Sequence, residues 1–177
     1  MTARGIKAAL VPLASLLLGA CVTTNYTSYQ ETAKPTSPLD RQVVYHLDRA
    51  FYTDPPACAV VMPSRDVINV QLATIIEDSI TRHLTMKVPR VIGATERIRL
   101  LRELAIDIAS SDGQKRFGQL TGCRVFLHWR TLEATDGYAL VIASRSFGLD
   151  LAMTGVSSNI ILWRASHVAK RWDGGIS

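Results

Sequence analysis

The apolar residues change period at Cys123, and that change limits the chain to one class of fold. Before it, short apolar runs alternate with stripes at helical spacing. Ala57 to Met62 is a continuous apolar run bounded by Pro56 and Pro63, which suits a strand buried on both faces. Ile68, Leu72, Ile75, Ile76, Ile80 and Leu84 then recur at helical spacing, with Glu77, Asp78, Thr81 and Arg82 on a solvated face. Val88 to Ile92 reads as a second strand, broken by Gly93. Ile98, Leu101, Leu104, Ala105 and Ile108 form another helical stripe, with Arg97, Arg99, Arg102 and Glu103 solvated. Asp112 can cap a third, short helix carrying Phe117 and Leu120, and Gly122 suits its end. After Cys123 the period is two. Val125, Leu127 and Trp129 alternate with Phe126 and His128. Asp136-Gly137 signals a turn, Tyr138 to Ala143 continues apolar, and Phe147, Leu149, Leu151 and Met153 alternate with Ser146, Gly148, Asp150 and Ala152. Gly155 to Asn159 reads as a turn and Ile160 to Trp172 as a final strand. Helices between strands imply parallel pairing, and strands in succession imply antiparallel pairing. The fold class is therefore α/β: a single domain with a mixed sheet, parallel in its first half and antiparallel in its C-terminal strands, packed with two or three helices. Leu39 to Phe51 fits both periods, because Val43, Tyr45 and Leu47 alternate while Leu39, Val43, Leu47 and Phe51 repeat like a helix.

The N-terminus carries a different message. Arg4 and Lys7 precede the uncharged run Ala8 to Ala20, which Pro12 interrupts. That run has 13 residues, against the roughly 20 that a spanning helix needs. It has the form of a cleaved export signal. Leu18-Gly19-Ala20-Cys21 looks like a lipobox, in which the Cys21 thiol receives a diacylglycerol and becomes the mature N-terminus. An ordinary signal cut near Ala20 is the rival reading. Val22 to Pro38 is rich in Thr, Ser, Asn, Gln and Pro, as in a flexible tether. The expected organisation is residues 1–20 as a lipoprotein signal peptide, 21–40 as a lipidated tether and 41–177 as a periplasmic mixed α/β domain.

Charge does not point to nucleic acid. The chain has 20 Lys+Arg against 15 Asp+Glu, and loss of Arg4 and Lys7 leaves 18 against 15, a mature charge of +3. The basic residues are scattered, with no stripe of Lys or Arg interleaved with aromatics.

No catalytic motif stands out: the sequence has no GxSxG elbow, no HExxH and no P-loop. His46, His83, His128 and His167 form no i, i+4 pair and no Cys–His metal spacing, so they read as surface or hydrogen-bonded structural histidines. No catalytic, cofactor-binding or metal residue is assigned, and no cofactor is expected. Trp129 reads as core and Trp163 as core or sheet edge. Trp172, near the Asp173-Gly174-Gly175 end, is either a partly packed terminal residue or an aromatic contact for a partner.

The order of several local patterns resembles a superfamily of small bacterial envelope lipoproteins. It includes the curli secretion lipoprotein, the lipoprotein activators of penicillin-binding proteins and the amino-terminal domain of the Tol translocation protein. The matching features are Val60-Val61-Met62-Pro63, the long helix after it, Arg90-Val91-Ile92-Gly93, the helix starting near Thr95-Glu96-Arg97, Thr121-Gly122-Cys123 and Ile161-Leu162-Trp163-Arg164-Ala165, across about residues 57–170. The resemblance implies a mixed α/β domain that acts by binding, with no active site to carry over. The chain is too short for the membrane-spanning hairpins of the curli pore. In the resembled fold the first and third core strands are parallel neighbours, so Cys58 and Cys123 start on one edge and are expected to form a disulfide; two buried free thiols are the alternative. Together these readings describe a lipid-anchored outer-membrane lipoprotein, a periplasmic binding or scaffolding module in envelope or secretion assembly. Its partners are membrane lipid through acylated Cys21 and an envelope protein, and a cell-envelope hydrolase is the alternative.

Overall fold

The computed structural model describes residues 24–28, 41–64, 66, 69–139 and 142–174. Cys21, the signal segment and most of the expected tether lie outside them. The described strands are β1 (Thr24–Ser28), β2 (Arg41–Leu47), β3 (Cys58–Val61), β4 (Arg90–Ile92), β5 (Val125–Ala139), β6 (Ile142–Gly155) and β7 (Ile161–Gly174). The helices are α1 (Arg49–Thr53), α2 (Val70–Leu84), α3 (Ala94–Leu104) and α4 (Ser111–Thr121). The strands form one mixed sheet in the order β1-β2-β7-β6-β5-β3-β4.

β3 is parallel to both β4 and β5. Parallel neighbours need a crossover. The first, α2, carries the chain outward to β4; the second, α3 with α4, carries it back across β3 to β5. Crossovers of one hand that move in opposite directions fall on opposite faces of the sheet. The core is accordingly double. Val60, Met62, Ile92, Phe117 and Phe126 pack with α3 and α4, while Val61, Ile76, Leu127, Trp129 and Met153 pack with α2. Strand β3 alternates between the two clusters and is buried on both faces. After β5 the chain needs only turns, and β5-β6-β7 is antiparallel, with β2 antiparallel to β7.

Several expectations need correction. From Arg41 on, the stretch that fitted both periods is both things that they suggested, a strand and then a helix. Strand β2 ends at Leu47, and Asp48 then caps α1 by accepting a hydrogen bond from the Ala50 amide at 2.8 Å. Strand β1, parallel to β2, lies within the stretch expected to be tether. Ser110, not Asp112, caps α4, because its hydroxyl accepts from the Gly113 amide at 3.0 Å and Asp112 sits in the first turn. Asp136-Gly137 is not a turn. β5 passes through it, pairing Asp136 with Arg145 and Gly137 with Ser144, because β6 offers partners along that length. Gly122 does end α4, in the left-handed region at φ 72.

Glu77 and Arg97, expected on solvated faces, are 6% and 4% exposed. Arg97 donates to Glu77 Oε2 at 2.9 Å and to the carbonyl of Val61, the last residue of β3. The pair ties α2 to α3 across the end of that strand. Conversely Leu72 and Ile75, placed on the apolar stripe of α2, are exposed, and so is Ile98 on α3.

Candidate functional site

The face of the sheet that carries α2 is only partly covered. Leu127, Met153 and Trp163 stand side by side on β5, β6 and β7, and Leu47 continues the row on β2. Helix α2 lies over the β3–β5 side of this row, contributing Ile80 and Leu84. Helix α1 approaches from the other side with Phe51, held there by the hydrogen bond from the Asp48 amide to the Leu162 carbonyl at 2.9 Å. Between the two helices remains a cleft of about 680 Å³, walled mainly by Phe51, Leu84, Leu127, Leu151, Met153 and Trp163. Pro55 and Pro56 stiffen one rim, and His83, Lys87 and Ser79 stand on the other. The volume falls within the range of small-molecule pockets, about 300–1,000 Å³, and walls that are apolar with a few polar groups are their usual make-up. His83 Nδ1 donates to the Ser79 carbonyl at 2.8 Å, which fixes the ring against the helix.

The opposite face of β5-β6-β7 is polar. Asp150 on β6, 6% exposed, accepts hydrogen bonds from Arg130 Nε at 2.8 Å and from Arg164 Nε and Nη2 at 3.0 and 2.7 Å. Burial by itself would raise the Asp150 carboxyl. The hydrogen bonds from Arg164 and Arg130, with their charges, outweigh it and hold the group below its ordinary value. A hollow of about 370 Å³ adjoins this network, lined by Pro63, Asp66, His128, Arg130, Asp150 and Arg164. A carboxylate held ionised between two guanidiniums is a poor proton donor or base, and the arrangement braces the strands.

The residues singled out by sequence are dispersed. His128 and His46 share a cross-strand row with Ala152 and Arg164 between them. Three strand spacings separate the two rings' backbones, roughly 14 Å. His167 lies on β7 between Val43 and Leu149, on the other face, and His83 lies on α2. Among the described residues no group of three or more His, Cys, Asp or Glu could hold a metal ion. Trp129 is buried and donates from Nε1 to the Met62 carbonyl at 2.9 Å. Trp163 is a wall of the cleft. Trp172 pairs with Ser144 in the sheet, and its side chain lies outside what the structure describes. Cys58 and Cys123 are joined in a disulfide with their Cα atoms 5.1 Å apart. The cleft went unread in the sequence. Its floor is visible as the alternating apolar positions, but nothing in the spacing says that α2 leaves part of that floor bare.

No protein-family model matches the chain, and no curated protein matches it. Solved structures do. Lipoprotein GNA1162 from Neisseria meningitidis is similar at 12% identity, with a TM-score of 0.54 over 69% of this chain and 88% of that one. A PelC dodecamer from Paraburkholderia phytofirmans overlaps 65% of this chain and 71% of its own at 14% identity and a TM-score of 0.43. The LpoB C-terminal domain from Salmonella enterica overlaps 67% and 82% at 10% identity and a TM-score of 0.38. The likeness to GNA1162 establishes a shared fold with a bacterial lipoprotein.

Proposed function

We propose that this chain is an outer-membrane lipoprotein, anchored through acylated Cys21, whose α/β domain faces the periplasm and works by binding. The observation that carries the binding role is the preformed apolar cleft between α1 and α2. The envelope setting is supported by the lipobox, by the fold shared with a lipoprotein and by an intramolecular disulfide, which persists in oxidising compartments. Val22 after the lipidated Cys21 favours the outer membrane, since Asp at that position retains lipoproteins at the inner membrane in many Gram-negative species. An envelope protein is the proposed partner, with membership of the wider group around the curli, penicillin-binding-protein activator and Tol domains. In the polar hollow beside Asp150 the carboxylate is held between Arg130 and Arg164, an arrangement that suits bracing the strands.

Anchoring is tested by fractionation. Wild-type protein is expected with outer-membrane markers on a density gradient, and Cys21→Ser is expected to leave the membrane or remain unprocessed. An intact mass showing unmodified, uncleaved Cys21 in the wild type would refute the anchor; co-migration with inner-membrane markers would refute the destination. Crosslinking in intact membranes is expected to capture an envelope protein in the wild type.

A further inference from the structure

We infer that the cleft between α1 and α2 is a site for a single-chain amphiphile with an anionic head, such as a fatty acid. This deepens the binding reading above and rests on it. The floor formed by Leu127, Leu151, Met153 and Trp163 and the side walls Phe51 and Leu84 offer an aliphatic chain apolar contact along its length. Each methylene moved there from water favours binding. The rim supplies the head's position. Among the described residues, Lys87 and His83 are the ionisable side chains lining the cleft, and no carboxylate lines it. Lys87 is exposed and takes part in none of the ion pairs among the described residues. An anion at the mouth therefore meets a cation without displacing a carboxylate partner, while a cationic head meets repulsion.

The test uses the full chain with Cys21→Ser, so that no attached acyl chain competes, and dansyl-undecanoic acid as probe, read by energy transfer from tryptophan. Saturable binding is expected, with displacement by palmitate and weaker displacement by hexadecyltrimethylammonium. Leu151→Trp, which fills the floor, is expected to abolish binding. Ser79→Trp, at the exposed rim, is expected to reduce it and serves if Leu151→Trp fails to fold. Lys87→Glu is expected to weaken palmitate by about two- to fivefold, the range of an exposed ion pair. Absence of saturable binding overturns the inference, as does binding unaffected by either tryptophan in a folded variant, or a palmitate affinity indifferent to Lys87→Glu. Probe binding lost in Cys21→Ser but present in acylated protein also overturns it. A chain that fractionates with the outer membrane and crosslinks to an envelope protein yet takes no palmitate refutes this inference alone. Palmitate binding by Cys21→Ser together with an unmodified Cys21 in the wild-type chain refutes the anchoring alone.

Discussion

Two buried charges on this chain have opposite histories in the sequence. The alternation placed Asp150 on the face away from the apolar residues, which is where it lies, but gave no sign that Arg130 and Arg164 close over it. Those arginines keep its carboxyl below the ordinary range, and that fact fixes a pH dependence. A depressed carboxyl stabilises the fold fully above the unfolded value, about pH 4, and the contribution fades as pH falls through the lowered native value. Asp150→Asn is expected to lose about 1–3 kcal/mol at neutral pH, and the difference from wild type should shrink below about pH 4. Urea midpoints at a series of pH values check this; a gap that stays constant into acid would count against it. Arg97 was read as solvated and is buried on Glu77 and the Val61 carbonyl. Arg97→Ala strands a buried carboxylate, so a loss of about 3–5 kcal/mol is expected. Arg97→Met combined with Glu77→Leu removes both charges and should lose much less. A double variant as unstable as Arg97→Ala would show that the ion pair is not what the single substitution breaks.

At the scale of elements, the three main helices and the strands that follow them were legible because each buries one stripe, and a stripe has a period. What the period does not report is how wide the covered part is. On α2 the sequence offers Leu72, Ile75, Ile76, Ile80 and Leu84 as one face, yet the helix turns Ile76, with Glu77, most deeply inward and leaves Ile75 59% exposed. The reason is the Arg97 clamp, which draws the Glu77 side of the helix down and is made by a residue 20 positions away. A local window cannot see such a partner. The same limit hid the cleft, since the gap between α1 and α2 depends on where two separate elements settle on one sheet. It also misplaced the hairpin turn, because Asp136-Gly137 is turn chemistry overridden by strand partners on β6. The two neighbouring isoleucines make a direct check. Ile76→Ala is expected to cost about 2–4 kcal/mol, and Ile75→Gln to change stability by less than about 0.5 kcal/mol. Equal losses in thermal or urea unfolding would mean that α2 is rotated from the orientation described.

For the molecule as a whole, the consequence is an uneven distribution of stability. Both core clusters sit at the β3–β4–β5 end of the sheet, under α2 on one face and α3 with α4 on the other. The disulfide from Cys58 to Cys123 closes the 65-residue excursion that contains those helices, a constraint worth up to about 4 kcal/mol against the unfolded chain. Strands β5, β6 and β7 run 15, 14 and 14 residues and outreach the helices. Their far half carries Asp136, Arg145 and Arg171 on one face and Glu133 and Lys170 on the other. A lipid-facing strand needs an apolar outer face, and this arm has charge on both, so its stability comes from ladder hydrogen bonds near water. Openings are cheapest where few apolar contacts cover the backbone. Amide exchange is therefore expected to be slowest from Val60 to Met62 and from Phe126 to Trp129, and faster by orders of magnitude from Glu133 to Gly137 and from Ser144 to Phe147. Replacing both Cys58 and Cys123 by Ser should accelerate the slow set, which opens only with the α/β core, and leave the fast set nearly unchanged, because the arm already opens without unfolding that core. Exchange measured by mass spectrometry on both proteins decides the matter: a uniform rate along β5, or an arm that speeds up together with the core, would mean that the sheet opens as one unit.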